Sequence, residues 1–303
     1  MKTNNVILIT VDVEDWFQVE NFKRWISFSS WPSYELRVEN NIHQILDLFD
    51  STKTCKTYTP DDSRDAPKAT FFILGWLAKR IPHLVREIHN RGHEVASHGF
   101  NHNLYTHLSM QELKTDLADS RKYLEDIIGS RICGHRAPSF SINEEILKVI
   151  AECGYSYDSS YNSFAMHDRY GHIDVSLNDR KGISIKLEKN FHELPISNIK
   201  IGRMIFPMGG GAYFRLIPLF LFKMGVKTIL ARKHAYLFYL HPWEIDPDQP
   251  RVHSAFISYK FRHYTNLRKN REKLSTFFKA FPESRFITCR QYLHQEMPDE
   301  YRS

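Results

Sequence analysis

The sequence predicts an α/β chain folded as a distorted (β/α) barrel of about seven strands. Three observations predict it. Short apolar runs alternate with amphipathic stretches, the pattern of parallel strands joined by helices. The chain has 303 residues, enough for one large domain with a full core. Five of the apolar runs end in polar clusters, as expected where the C-terminal ends of parallel strands share one face.

The elements follow in order. Val6–Val11 reads as a buried strand, and Asn41–Phe49 puts Ile42, Ile45, Leu46 and Phe49 on one helical face. The polar, unpatterned stretch Ser51–Lys68 reads as a loop before a second strand, Thr70–Leu74. Pro82–Asn90 reads as a helix opened by Pro82 and stopped by Gly92. Glu94–Ser97 is a third short strand. Ser109 and Glu112 form a capping box whose helix runs to about Gly129. A strand at Arg131–Gly134, a helix over Glu144–Cys153 and a strand at Tyr155–Tyr157 come next. Residues 160–200 read as a β-rich insertion with a strand at Ile183–Leu187. The alternation resumes with the strand Ala235–Leu240, a helix around Leu267–Phe278, the strand Arg285–Thr288 and a short end helix. No long linker or internal repeat interrupts the chain, so residues 1–303 are expected to form one domain.

Composition excludes several classes. Hydrophobic residues at 42% and charged residues at 25% fit a globular protein rather than a disordered one. A net charge of +6 is compatible with nucleic acid, an anionic membrane or an acidic polymer. Lys and Arg are scattered and no nucleic-acid motif is present, which argues against nucleic acid. Cys55, Cys133, Cys153 and Cys289 lack CxxC spacing and read as free thiols of a reducing compartment. The start of the chain runs straight into a strand without a signal-peptide pattern. The apolar stretch Tyr213–Met224 is broken by Arg215, Pro218 and Lys223, so it does not span a bilayer. It reads first as a buried barrel helix, and second as an interfacial segment touching an anionic membrane. A cytoplasmic location, at the inner face of a membrane in the second case, is the expectation. The run Gly209–Gly211 lacks dinucleotide-site spacing and reads as a place of close backbone approach.

The clusters carry the chemistry. The first is Asp12-Val-Glu14-Asp15 and the second His98-Gly-Phe-Asn-His102. The third is His135-Arg136-Ala-Pro138, followed by Asp158-Ser-Ser and by His241-Pro-Trp243-Glu244. Two histidines four apart lie on one side of a helical turn and can grip one ion. A carboxylate would complete a two-histidine, one-carboxylate site with open positions. Asp12 and Glu14 face the same way along a strand, and Asp15 faces away. One of the pair could bind metal while the other serves as base.

These residues resemble the five ordered motifs of the polysaccharide deacetylases of the NodB-homology type, carbohydrate esterase family four. The resemblance implies that Asp12 is the general base, that His98 and His102 are metal ligands and that Arg136 steers the base. It implies that His241 is the general acid and that Asp158 orients it. One divalent metal is implied, zinc first, with cobalt, nickel or manganese as alternatives. In the first motif Val13 separates the usual adjacent acid pair, and same-face geometry points to Glu14 rather than Asp15 as the third ligand. His98 is followed by Gly99 where the family has Ser or Thr. A backbone N–H near Ser139 would hold the oxyanion, and Trp243, beside the acid, is a candidate for substrate contact.

Longer strings from Gly209 to Pro218, His241 to Pro250 and Phe261 to Leu267 resemble one subfamily. Its members accompany exosortase-linked exopolysaccharide gene clusters and carry a C-terminal extension, here about 242–303. The implied activity is N-deacetylation of an amino-sugar polymer or its lipid-linked precursor, in an exopolysaccharide or a cell-wall glycan. Two other readings stay open: a hydrolase of a small non-sugar amide, as in the allantoinase-like branch, and a catalytically silent saccharide-binding protein. The oligomeric state is not legible.

Overall fold

A computed structural model describes residues 5–52, 66–164, 170–171, 173–175 and 177–298. Most of the expected loop Ser51–Lys68, with Cys55, lies outside these residues. The first half runs β1 (Val6–Val13), α1 (Val38–Ser51), β2 (Ala69–Ile73), α2 (Gly75–Arg80), α3 (Pro82–Asn90), β3 (Glu94–Ser97), α4 (Met110–Ile128), β4 (Gly134–His135), α5 (Glu144–Glu152) and β5 (Tyr157–Asp158). Three strands follow, β6 (Arg180–Lys181), β7 (Ser184–Glu188) and β8 (Phe191–Glu193), and then a hairpin of β9 (Asn198–Ile201) and β10 (Met204–Pro207). The remainder is α6 (Gly211–Leu216), α7 (Leu219–Lys233), β11 (Ala235–Leu240), α8 (Ile257–Tyr264), α9 (Leu267–Lys279), β12 (Arg285–Phe286) and α10 (Cys289–Glu296).

Seven strands form a parallel run in the order β11-β1-β2-β3-β4-β5-β8. Strands β7 and β6 extend it antiparallel, and β12 adds to the start of β1. Strand β8 thus belongs to the main sheet, although it falls within the stretch read as an insertion. No ladder joins β8 to β11 among the described residues. Irregular backbone bridges them instead: Leu237 N–H donates to Ser197 Oγ at 2.9 Å and Tyr239 N–H to the Gly209 carbonyl at 2.7 Å. Gly210 makes this possible. Its φ is +123°, and a Cβ there would sit 2.0 Å from the Tyr239 carbonyl. The glycine run is therefore a site of close backbone approach, as its spacing implied.

Local signals explain the helices. Ser109 and Glu112 cap α4 reciprocally, and Gly129 ends it at φ +67°. Pro82 opens α3. Strands β4 and β5 are only two residues each, because their ladder pairs just Gly134–His135 with Tyr157–Asp158. Helix α7 is buried through Phe222, Val226, Ile229 and Leu230, so one face is a barrel helix. Among the described residues no helix is long and apolar enough to cross a membrane.

Strand alternation places the site. In β1, Ile7, Ile9, Val11 and Val13 join the cluster packed under the helices, whereas Val6 and Leu8 join a second cluster with Phe72, Tyr157 and Leu237. Period two carries the second face on to Thr10 and Asp12. In β11, Ala235, Leu237 and Tyr239 lie in that same cluster, and the period continues to His241. The register pairs Val11 with Leu240, so Asp12 and His241 emerge side by side at the same strand ends.

The core contains a neutral histidine with a measurable cost. His93 is 4% exposed, accepts the Ala69 N–H at Nδ1 and leaves Nε2 unpartnered. Burial, helped by Lys68 and Arg91, pushes its pKa down to about 3. The folded value lies below the unfolded one, so the associated stability is present above the unfolded pKa and is lost as pH falls. Lowering pH from 7 to 5 is expected to cost about 2 kcal/mol through this residue. Urea titrations of the parent and His93→Gln proteins check it: the variant should show a shallower loss over that interval.

Candidate metal and active site

Glu14, His98 and His102 converge. Glu14 Oε1 lies 3.1 Å from His98 Nε2 and 3.0 Å from His102 Nε2, and all three residues are buried. Burial alone would raise the Glu14 carboxyl, but His102 above all, with His241 and His98, holds it well below the usual range. His98 donates Nδ1–H to the Arg136 carbonyl at 2.8 Å, which leaves its Nε2 lone pair aimed at the cluster. One carboxylate and two imidazoles with this convergence fit a divalent ion with open positions.

The histidines do not stand on a helical turn, contrary to expectation. They flank a loop in which Gly99 has φ +73° and His102 φ +55°. Asp116 accepts the N–H groups of Phe100 and Asn101, and the Ser120 hydroxyl donates to the Gly99 carbonyl. A Cβ on Gly99 would meet the Tyr105 hydroxyl at 2.6 Å and Asp116 at 2.8 Å. The glycine in place of Ser or Thr is therefore required by this loop.

Asp15 serves another purpose. Its Oδ2 accepts the N–H groups of Arg37 and Val38, at 2.7 and 2.9 Å, at the start of α1. Burial raises its pKa to about 6 against those bonds. Asp15 is a helix cap supplied from a distant loop, and Glu14 alone of the two faces the histidines.

Asp12 lies beside this cluster. Arg136 Nη1 donates to Asp12 Oδ1 at 2.7 Å and to the Thr10 hydroxyl at 2.8 Å. The guanidinium is fully buried, bonded also to Ser159 through Nε and Nη2, and lies 4.2 Å over the Phe72 ring. Among the described residues Asp12 is the one carboxylate paired with it. His241 Nε2 is 3.9 Å from both Asp12 Oδ2 and Glu14 Oε1.

Asp158 does not orient His241. It bonds the buried His135 at 2.8 Å and accepts the Ser160 N–H. The partner of His241 is Glu244, whose Oε1 lies 2.8 Å from Nδ1 and also accepts the His241 N–H. Glu244 Oε2 accepts Arg215 Nε at 2.8 Å. Arg215 is 2% exposed, and its Nη1 and Nη2 donate to the carbonyls of Arg262, His263 and Thr265. Burial would lower the His241 pKa, but Glu14, Glu244 and Asp12 push it up to about 9. The physical reason for the exchange is proximity. Pro242–Ile245 forms a single helical turn that folds Glu244 back onto its own N-cap histidine. A histidine followed three residues later by a carboxylate was the available signal.

Trp243 is not an open sugar platform. It is 6% exposed and stacks on His241 at 5.0 Å and His263 at 4.1 Å, so it buttresses the imidazole while also lining the cavity at the site. Ser139 does reach the site, with φ +52°. It lines a cavity of about 80 Å³ together with Asp12, Glu14, His241, Tyr170 and Arg262. That space holds a few waters or a small acyl group. Glu20 and Asn21, from the loop after β1, also reach this cavity and carried no sequence signal.

Residues 62–157 match the family described as Polysaccharide deacetylase, and residues 159–294 match a domain of unknown function, DUF3473. A peptidoglycan-N-acetylglucosamine deacetylase of Bacillus cereus is 34% identical over 122 residues, covering 39% of this chain and 56% of that protein. A chitooligosaccharide deacetylase of Azorhizobium caulinodans is 32% identical over 87 residues, covering 28% of this chain and 41% of that protein. The chain thus spans about half the length of the curated relatives it matches, or less. A crystal structure described as a putative polysaccharide deacetylase from Mycobacterium smegmatis superimposes with a TM-score of 0.61 at 16% identity. That superposition covers 99% of this chain and 92% of the other, and it shows a shared fold. The chain contains a polysaccharide deacetylase region of the NodB type over residues 62–157, followed by a DUF3473 region over residues 159–294.

Proposed function

We propose that the protein is a metal-dependent deacetylase that removes N-acetyl groups from an amino-sugar polymer or its lipid-linked precursor. The observation that carries this reading is the convergence of Glu14, His98 and His102 beside Asp12 and His241. The relatives named for peptidoglycan and chitooligosaccharide deacetylation supply the substrate class.

Glu14, His98 and His102 would hold the ion, and zinc suits a three-ligand nitrogen and oxygen site with an open position. A divalent ion bound there would supply Lewis acidity for the acetyl carbonyl and for a water. Asp12, fixed by Arg136, takes the proton of the attacking water. As the C–N bond breaks, His241 gives its Nε2 proton to the departing amine, and acetate and a free amino sugar result. Glu244 keeps Nδ1 protonated, so Nε2 faces the substrate. A backbone N–H at Ser139 supports the developing oxyanion.

Strands from both matched regions share one sheet, which supports reading residues 1–303 as one domain. Cys133, Cys153 and Cys289 are free thiols, which suits a reducing, cytoplasmic location.

The test is metal content together with acetate release from N-acetylated oligosaccharides, before and after chelation. About one metal per chain is expected, with release lost on chelation and regained on reloading. Asp12→Asn should keep the metal and lose at least about 100-fold in kcat/KM. Acetate release untouched by chelation would refute the reading. Saccharide binding without metal or turnover would select the binding-protein alternative.

A further inference from the structure

From Leu194 to Trp243 the chain carries seven lysines and arginines and no carboxylate. Apart from Arg215, none of these cations pairs with a carboxylate among the described residues. The β9–β10 hairpin and helix α7 both come from this stretch.

The hairpin has one apolar face. Its register pairs Met204 with Ile201 and Phe206 with Ile199, so all four side chains lie on the same side. At the base, Ile199 approaches α7 at Gly225, as does Met208. Toward the tip the face is uncovered: Ile201 is 60% and Met204 63% exposed. Helix α7 carries a second uncovered apolar face. Phe220 and Met224, four apart, are 62% and 60% exposed, and Leu221 is exposed beside them. Lys223 and Lys227 border the same face. The opposite face is already buried through Phe222, Val226 and Ile229. A helix covered on one side normally turns charge to water on the other, and this one turns large apolar side chains fringed with lysine.

A cleft of about 500 Å³ opens between the hairpin and α7. Lys200, Arg232 and Lys233 line it, Arg180 stands with them, and no carboxylate lines it among the described residues. Burial, reinforced by Arg180, lowers the Lys233 ammonium from its ordinary value.

We propose that the β9–β10 hairpin and the first half of α7 form a docking surface for an anionic lipid bilayer. The exposed Ile201, Met204, Phe220 and Met224 enter the headgroup and acyl boundary, and the surrounding lysines and arginines engage lipid phosphates. Charge selects this occupant over a second copy of the chain. A self-contact through the same face would set unpaired cations against cations, whereas an anionic leaflet supplies the missing charge.

Docking has a consequence for the site. Helix α6, joined to α7 by two residues, contributes Gly211, Ala212 and Arg215 to the cavity at the metal cluster. A docked protein would carry that cavity close to the headgroups, where a saccharide attached to lipid would be presented. This consequence rests on the deacetylase reading; the docking surface does not.

Sedimentation of the full chain with vesicles tests it. The probes are vesicles of phosphatidylcholine alone and of phosphatidylcholine with about one third phosphatidylglycerol. Binding to the anionic vesicles is expected to be at least about tenfold tighter, and to weaken as salt rises from about 0.1 to about 0.5 M. The pair Phe220→Ser with Met224→Ser, and separately Lys223→Glu with Lys227→Glu, should each lose at least about tenfold in binding. Their melting temperature and acetate release from soluble oligosaccharide should stay unchanged. Failure to bind anionic vesicles, or binding untouched by both pairs, overturns the proposal. Dimerisation in light scattering without vesicle binding also overturns it and assigns the face to a second copy. Vesicle binding without acetate release leaves the docking surface standing and refutes the deacetylase reading instead.

Discussion

Glu14→Gln is expected to cost the protein its metal. The carboxylate is the only anionic member of the cluster, and both histidine Nε2 atoms lie within 3.1 Å of one of its oxygens. Changing a residue that merely supports a ligand typically costs 10- to 100-fold in affinity, so removing a ligand should cost more than about 100-fold. Competition against a chromophoric chelator measures it, and acetate release should fall in step with occupancy. Asp15→Ala is the matched control. It should retain the metal and lose about 0.5–2 kcal/mol of stability, because Asp15 caps α1. The opposite pattern, metal kept in Glu14→Gln and lost in Asp15→Ala, would move the ligand to the neighbouring carboxylate.

These two residues also show what the sequence makes legible. Period two along β1 is a local property of the strand, so it predicts that Asp12 and Glu14 share a face and that Asp15 leaves it. The same reasoning places His241 on β11 without knowledge of its neighbours. Glu14 and His98 were readable because each follows a strand end by one residue, where direction is set by the strand itself. Loops obey no such period. His98 and His102 converge through two left-handed residues and the bonds made by Asp116, and no helical spacing describes that path. The closure of the sheet between β8 and β11 was equally hidden, since irregular backbone and a serine hydroxyl perform it. Asp158 illustrates a different limit. A carboxylate at a strand end can serve any buried cation or imidazole that packs against it, and His135 on the adjacent strand is nearer than His241. Arg215 lies outside every strand-end cluster, and its three carbonyl partners are 47 to 50 residues away. Only the folded chain brings it to Glu244.

Glu244→Gln should therefore disturb proton delivery where Asp158→Asn does not. The buried Glu244 carboxylate accepts from His241 at Nδ1 and from Arg215 on its other oxygen. Removing its charge takes away part of what holds the His241 pKa at about 9. A neighbouring opposite charge is typically worth 1–3 pKa units. The alkaline limb of kcat/KM should move down by that amount, since the acid must be protonated to act and now loses its proton at lower pH. A fall of two units would leave about one tenth of the enzyme in the competent form one pH unit above the new limb. Leaving Arg215 without its charged partner also threatens stability by about 3–5 kcal/mol, so melting is followed in parallel. A loss of stability alone lowers the amount of folded enzyme and leaves the limb in place; only a change at the acid moves the limb. Asp158→Asn should leave that limb within about half a unit, because its carboxylate is bonded to His135 on the neighbouring strand. A limb that moves with Asp158→Asn and stays fixed with Glu244→Gln would return the orienting role to Asp158 and mean that the Glu244–Arg215 pair only holds the helices after β11 in place.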